Sequence, residues 1–326
     1  MQILLIEPFF SGSHRQWAMG FQRHSRHRVE ILSLPGRHWK RRMYDGAVSL
    51  ARQFLRSDTR PDLILATDML DLATFLSLTR SRLQQTPVAL YFHENQITYP
   101  WSPTDQDPKL RRNNQYGFLN YTSALCADRI FFNSAFHRNS FFSALPAFLK
   151  QFPDHRELDL ISGLKAKSQV LLLGLDLQTL LQPQPAQRPT EPVILWNHRW
   201  EYDKDPALFF RTLQQVRDHG QAFKLIVLGK AYKKSPEAFA WAKQELGAEL
   251  LHFGYVTDRT EYARWLHLAD ILPVTSRQDF FGASAVEAIY CQCYPLLPDR
   301  LAFPEHIPTG KHEQHIYRND EDLLNM

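Results

Sequence analysis

Two carboxylates frame a strand-to-helix turn in the stretch Thr275–Cys293, and such a pair can do sugar and phosphate chemistry. Asp279 stands just before Phe281-Gly282, and Glu287 follows it eight residues later. The apolar run Ile271–Val274 ahead of the turn reads as a buried strand. Val286, Ile289 and Tyr290 share one face of the helix that follows. A strand, a small-residue turn and a helix start make an anion site, because unpaired backbone N–H groups and the positive end of the helix dipole converge there. One acid can then face a sugar near the helix start while the other reaches a ribose further along. Taken alone, the same letters equally describe a surface helix that carries two acids.

A second set lies in Asn197-His-Arg199-Trp-Glu-Tyr-Asp-Lys204, directly after the apolar strand Val193–Trp196. Arg199 and Lys204 therefore belong to a strand-to-helix loop. Two cations there can neutralise a nucleotide diphosphate and stabilise it as it leaves with extra charge. Asp203-x-Asp205 formally fits a metal motif, but the intervening Lys204 favours a phosphate site, and no metal is expected. Near the N-terminus, the strand Ile3–Ile6 is followed by Gly12 and His14. A single glycine lets a ligand approach the backbone closely, although the Gly-x-Gly-x-x-Gly fingerprint of dinucleotide binding is absent. An ordinary turn with a surface histidine accounts for those letters too. The strand Val88–Phe92 delivers His93-Glu94-Asn95-Gln96 to its C-terminal end, where α/β folds hold ligands. His93-Glu94 does not begin a zinc-protease motif, because position 97 is Ile.

The elements that must position these residues alternate as strand and helix throughout. Further strands are expected at Arg28–Leu34, Asp62–Ala66, Arg129–Phe132, Gln169–Leu173, Lys224–Leu228 and Leu250–Phe253. Helical patterns run from Met69 to Leu83, from Gln115 to Cys126 and from Asp205 to Val216, whereas residues 151–168 read as polar and irregular. Leu181–Pro192 has four prolines and no periodicity, as a semi-extended linker does. The expected organisation is an N-terminal domain over 1–178, a linker over 179–192 and a C-terminal domain over 193–326. Two successive parallel-sheet units joined this way imply a ligand cleft between them.

Charge is divided unequally along the 326 residues. Residues 1–180 hold 22 Lys+Arg against 15 Asp+Glu, a balance of +7, while residues 181–326 stand at −3. The densest basic cluster is Arg23, Arg26 and Arg28, then Arg37, Lys40, Arg41 and Arg42, with Trp39 and Tyr44 interleaved. Arginine with aromatics suits phosphate contact and base stacking on RNA, and a solvated basic face explains it without a partner. There is no apolar run of the roughly 18 residues a membrane span needs, and Met1–Pro8 reads as a first strand rather than a signal peptide. Three cysteines, Cys126, Cys291 and Cys293, are too few for a disulfide framework, so a cytoplasmic protein is expected.

The acid-x7-acid spacing of Asp279 and Glu287 resembles the signature of retaining nucleotide-sugar glycosyltransferases with the GT-B fold, two Rossmann-like doubly wound domains facing across a cleft. Arg199-x4-Lys204 matches the same family. That resemblance implies ribose contact for Glu287, sugar and phosphate contact for Asp279 and the Phe281-Gly282 backbone, and phosphate contact for Arg199 and Lys204. Gly12, His14 and Asn197 join the donor site, Tyr255 lines the nucleobase, and His93 faces the sugar. Asp279 departs from the family's usual Glu, shortening that arm by a methylene.

A narrower similarity spans nearly the whole chain. Ser11-Gly-Ser-His14, Tyr91–Gln96, Gln115-Tyr-Gly117, Phe132-Asn-Ser134, Pro153–Arg156, Phe280-Phe-Gly282 and Cys291-x-Cys-Tyr-Pro295 resemble the tRNA-queuosine mannosyltransferase family. The resemblance implies transfer of mannose from GDP-mannose to the cyclopentenediol of queuosine in the anticodon of tRNA-Asp. No cofactor is implied beyond that co-substrate. His93, Glu94, Asn95 and Gln96 would then meet the acceptor, with Arg37, Lys40, Arg41 and Arg42 on the tRNA. A glycosyltransferase acting on a small molecule or glycan, and a non-catalytic RNA-binding GT-B protein, are the alternatives.

Overall fold

The computed structural model describes residues 1–110, 112, 114–181, 187–231 and 235–326. The chain divides into two compact units, Met1–Leu175 and Asp176–Met326. Each contains a six-stranded sheet in which the paired strands are parallel.

The first sheet comprises β1 (Gln2–Phe10), β2 (Arg28–Pro35), β3 (Leu63–Thr67), β4 (Val88–Phe92), β5 (Arg129–Phe132) and β6 (Ser168–Val170), in the order β2-β1-β3-β4-β5-β6. Strands buried on both faces read as continuous apolar runs, which is why Ile3–Ile6 and Val88–Phe92 stand out in the sequence. Alternate side chains serve opposite layers. Leu4 and Ile6 join Phe54, Phe75 and Phe141 on one face, and Ile3 and Leu5 join Trp17 and Tyr91 on the other. Each such fully buried side chain contributes about 1.5–3 kcal/mol relative to exposure.

The second sheet comprises β7 (Val193–Trp196), β8 (Lys224–Leu228), β9 (Leu250–Gly254), β10 (Ile271–Pro273), β11 (Tyr294–Pro298) and β12 (Ile316–Tyr317), in the order β12-β11-β10-β7-β8-β9. In each unit the chain first winds outward in one direction and then returns to wind in the other. The reversals fall between β1 and β3 and between β7 and β10. Loops diverge at such points, so the carboxyl ends of these strands are where doubly wound sheets hold ligands.

Several expected elements differ in the structure. Only Ser168–Val170 pairs with β5, because β5 itself ends at Phe132; the apolar run outlasts its partner, and Leu172 is 63% exposed. Residues 151–168, expected to be irregular, include a helix at Leu160–Ala166 that buries Ile161 and Leu164. The helical pattern from Met69 starts only at Leu72, where the Asp71 side chain accepts from the Thr74 N–H at 3.0 Å and caps the first turn. Strands β11 and β12 were not anticipated. Part of the expected linker, residues 182–186, lies outside the described residues. Its flanks are held on the second unit: Leu180 is buried, and Arg188 bonds to the His267 and Leu268 carbonyls and to Asp270. Among the described residues no helix is long and apolar enough to cross a membrane. The three cysteines are free thiols.

Candidate active site

In the second unit, the loops after β7 and β10 meet at the start of the helix Ala283–Tyr290. Gly282 caps this helix with φ +85°, and a Cβ there would lie 2.9 Å from a Phe303 ring carbon, so both backbone and packing call for glycine. Asp279 Oδ1 accepts from the N–H groups of Phe281 (3.2 Å) and Gly282 (2.7 Å). Its Oδ2 lies 3.1 Å from Lys204 Nζ. The same ammonium donates to the Gln278 carbonyl at 2.6 Å and pairs with Asp203 at 3.3 Å. Burial works against the Asp279 carboxylate, yet Lys204 and the backbone donors outweigh it and hold its pKa below the ordinary value.

His198 completes the group and was not singled out in the sequence. It is 3% exposed, and its Nδ1 lies 2.9 Å from Ser284 Oγ on the helix. Burial and the neighbouring Lys204 charge lower its pKa to about 3, so the ring is neutral. Asn197 Nδ2 donates to the Ser284 carbonyl at 2.7 Å, tying the β7 loop to the same helix turn. Arg199 lies at the half-exposed rim, 3.2 Å from Glu201. Further along the helix, Glu287 accepts from Arg259 (2.7 Å) and from the Tyr262 hydroxyl (2.9 Å). Those two partners come from the helix Arg259–Leu268 and carry no signal in sequence, since only the fold brings the two helices together. Tyr255, just past β9, is exposed.

In the first unit, Glu7 on β1, Asp68 after β3 and His93 after β4 stand at the ends of adjacent strands. His14, in the first turn of the helix Gly12–His24, lies 3.1 Å from Glu7. Burial alone would lower the His14 pKa, but the Glu7 charge and hydrogen bond raise it to about 9. The His93 ring is 4.6 Å from the His14 ring and edge-on to Trp17 at 4.5 Å. Its own pKa falls well below the ordinary value through burial and the His14 charge. Glu7, His14 and His93 offer ligand atoms within 4.8 Å of one another, so a metal ion could be held here, although Glu7 and His14 already satisfy each other. Gly12 has φ +51°, and nothing lies within 4 Å of where a Cβ would stand.

The other expected residues separate by their contacts. Glu94 accepts from Gln96 at 2.8 Å, whereas buried Asn95 builds its own turn by accepting from the N–H groups of Ile97 and Thr98. Lys40 is bound to Asp105 (2.7 Å) and Asp107 (2.6 Å) and ringed by Trp39, Trp101 and Tyr116, so its charge is matched within the unit. Arg41 pairs with Asp45 at 2.6 Å, Arg42 donates to the Pro35 carbonyl, and Arg37 is exposed.

Comparison with known proteins fits this architecture. Residues 178–325 match the family "Glycosyl transferases group 1". Sucrose-phosphate synthase from Thermosynechococcus elongatus shares the fold with a TM-score of 0.69 at 13% identity, covering 100% of this chain and 88% of that one. Anabaena HepE in complex with UDP shares it at 0.63 and 14%, with the same coverage. Both doubly wound sheets are therefore those of a GT-B protein. Residues 2–175 match the family "tRNA-queuosine alpha-mannosyltransferase N-terminal". A tRNA-queuosine alpha-mannosyltransferase of Drosophila melanogaster is 35% identical over 330 residues, spanning 98% of this chain and 84% of that protein. With a match of that length in hand, the chain belongs to the tRNA-queuosine alpha-mannosyltransferase family.

Proposed function

We propose that this protein is a hexosyltransferase that moves mannose from GDP-mannose to the cyclopentenediol of queuosine in the anticodon of tRNA-Asp, with retention of configuration. The observation that carries the reading is the Lys204–Asp279 pair at the start of the helix Ala283–Tyr290, with Glu287 further along the same helix. Lys204 and the helix N-terminus stabilise a diphosphate that gains charge as it leaves. On donor binding, Lys204 exchanges Asp279 for the diphosphate, and Asp279 is released to accept from sugar hydroxyls. Glu287, oriented by Arg259 and Tyr262, accepts from the ribose. The departing phosphate takes the acceptor proton, so no step requires a metal.

Support for a tRNA acceptor comes from two sides. The family-specific match falls on the first unit, the one whose sequence carries the basic excess. A polyanion is drawn to such a surface and then recognised by finer contacts. Queuosine-containing tRNA incubated with GDP-mannose and digested to nucleosides is expected to show one added hexose on queuosine. Label appearing on a lipid or glycan while queuosine stays unmodified would sink the assignment.

A further inference from the structure

The ionisable group at the ends of β1, β3 and β4 has a feature that the donor chemistry does not use. Asp68 is 1% exposed, and its carboxyl group accepts one hydrogen bond, from the His93 N–H at 2.7 Å. It has no ion pair among the described residues, because Glu7 claims His14. His93 Nε2 is sealed from solvent without a hydrogen-bond partner, and His93 belongs to the group whose ligand atoms lie within 4.8 Å of one another. Glu94, the next residue, adds negative charge that acts on both Asp68 and His14. The acidic side chains of Glu7, Asp68 and Glu94 thus all act on the one imidazolium of His14, beside a wall formed by Trp17 stacked on Tyr91 at 4.8 Å.

We propose that this cluster is the subsite for a cationic, hydroxylated acceptor, in which Asp68, with Glu94 beside it, pairs with a protonated amine while Glu7, His14 and His93 hold the adjacent hydroxyls. The inference rests on the proposed acceptor. Queuosine carries its cyclopentenediol on a secondary amine that is protonated at neutral pH, so one small ring presents the cation and the vicinal hydroxyls together. A buried carboxyl left without a counter-ion is one that an ammonium can pair with. A charge-assisted hydrogen bond in a dry site is strong, and a site built for it rejects analogues that lack the charge. The basic surface and the acidic subsite then have separate tasks. One attracts the polyanion, and the other reads the single cation on it.

The test uses the full chain. Asp68→Asn keeps an oxygen for the His93 N–H and removes the charge. The KM for queuosine-containing tRNA is expected to rise about 10–100-fold, the span of a lost charged hydrogen bond. The thermal shift given by GDP and the affinity for tRNA lacking queuosine should stay unchanged. In the wild type KM should climb as pH rises through the pKa of the amine, and in Asp68→Asn that climb should flatten. Should Asp68→Asn give no GDP shift, and so be misfolded, Glu94→Gln supplies the same comparison. A wild-type KM and pH profile in a folded variant overturns the subsite while leaving mannosyl transfer standing. A wild-type protein that leaves queuosine unmodified overturns the transfer itself, and this inference with it.

Discussion

His14 and His198 are both buried histidines at the carboxyl ends of a doubly wound sheet, yet they carry opposite charge. The pKa of His14 rises to about 9 and that of His198 falls to about 3. Burial disfavours the imidazolium in both, so the partner decides: Glu7 for His14, Lys204 for His198. The same residue type is an ion in one unit and a neutral dipole in the other. The switch point of the first sheet is organised around carboxylates and that of the second around an ammonium. This contrast is what a donor that is a diphosphate and an acceptor that carries an amine would require of the two units.

The largest test of the contrast is to remove the ammonium. Lys204→Ala leaves Asp203 and Asp279 facing each other without a counter-ion. Transfer is expected to fall by at least about 10²–10³-fold, the usual cost of losing one charge-stabilising donor. Stability should fall by about 3–5 kcal/mol, as for a broken buried pair, read by chemical denaturation. A near-wild-type rate would detach the second cluster from the chemistry.

Next comes the proton on His14. Its pKa is raised above the ordinary 6.5, so the stability it contributes is fully present below pH 6.5 and is lost as pH rises through about 9. Glu7→Gln should remove most of that loss, on the order of 3 kcal/mol, seen as a flatter dependence of unfolding free energy on pH. Asp68, raised to about 8, gives a loss of the same sign between its ordinary value and pH 8, and the variant reduces it too, since the Glu7 charge is among its causes. An unchanged profile would mean that His14 is not held as a cation, and the contrast with His198 would disappear.

The smallest effect concerns the surface of the first unit. Replacing Arg41 and Arg42 together by Ala should weaken tRNA binding several-fold and lower the salt slope by about 1–2. Transfer at saturating tRNA should be unchanged. Folding stability should move by less than about 1 kcal/mol, since the Arg41–Asp45 pair is exposed. A loss confined to maximal rate would place these residues in the acceptor pocket rather than on its approach.

Legibility in the sequence followed the distance over which each feature is built. Asp279, Gly282 and Glu287 lie on one turn and one helix, so spacing alone places them together. Buried parallel strands announce themselves as apolar runs, and ten of the twelve among the described residues were expected at or near their observed positions. Glu7 and Asp68 gave no signal, because each is a lone acid at a strand end; only the order β1-β3-β4 makes them neighbours. Lys40 read as one more cation in a basic run, and its partners lie 65 and 67 residues away. Leu160–Ala166 was hidden because a seven-residue helix shows too few turns for its period to emerge.

The resting contact between Lys204 and its two carboxylates also bears on selectivity among the anions of a cell. An ammonium already neutralised offers less to inorganic phosphate or to a free nucleotide than to a nucleotide sugar, because the first two bring charge but nothing for the displaced Asp279. A nucleotide sugar brings both, since its hydroxyls can occupy the carboxylate that its phosphates evict. Once the hexose has departed, the original pair can re-form and help expel the spent nucleotide, so one ion pair would serve as entry filter and exit aid.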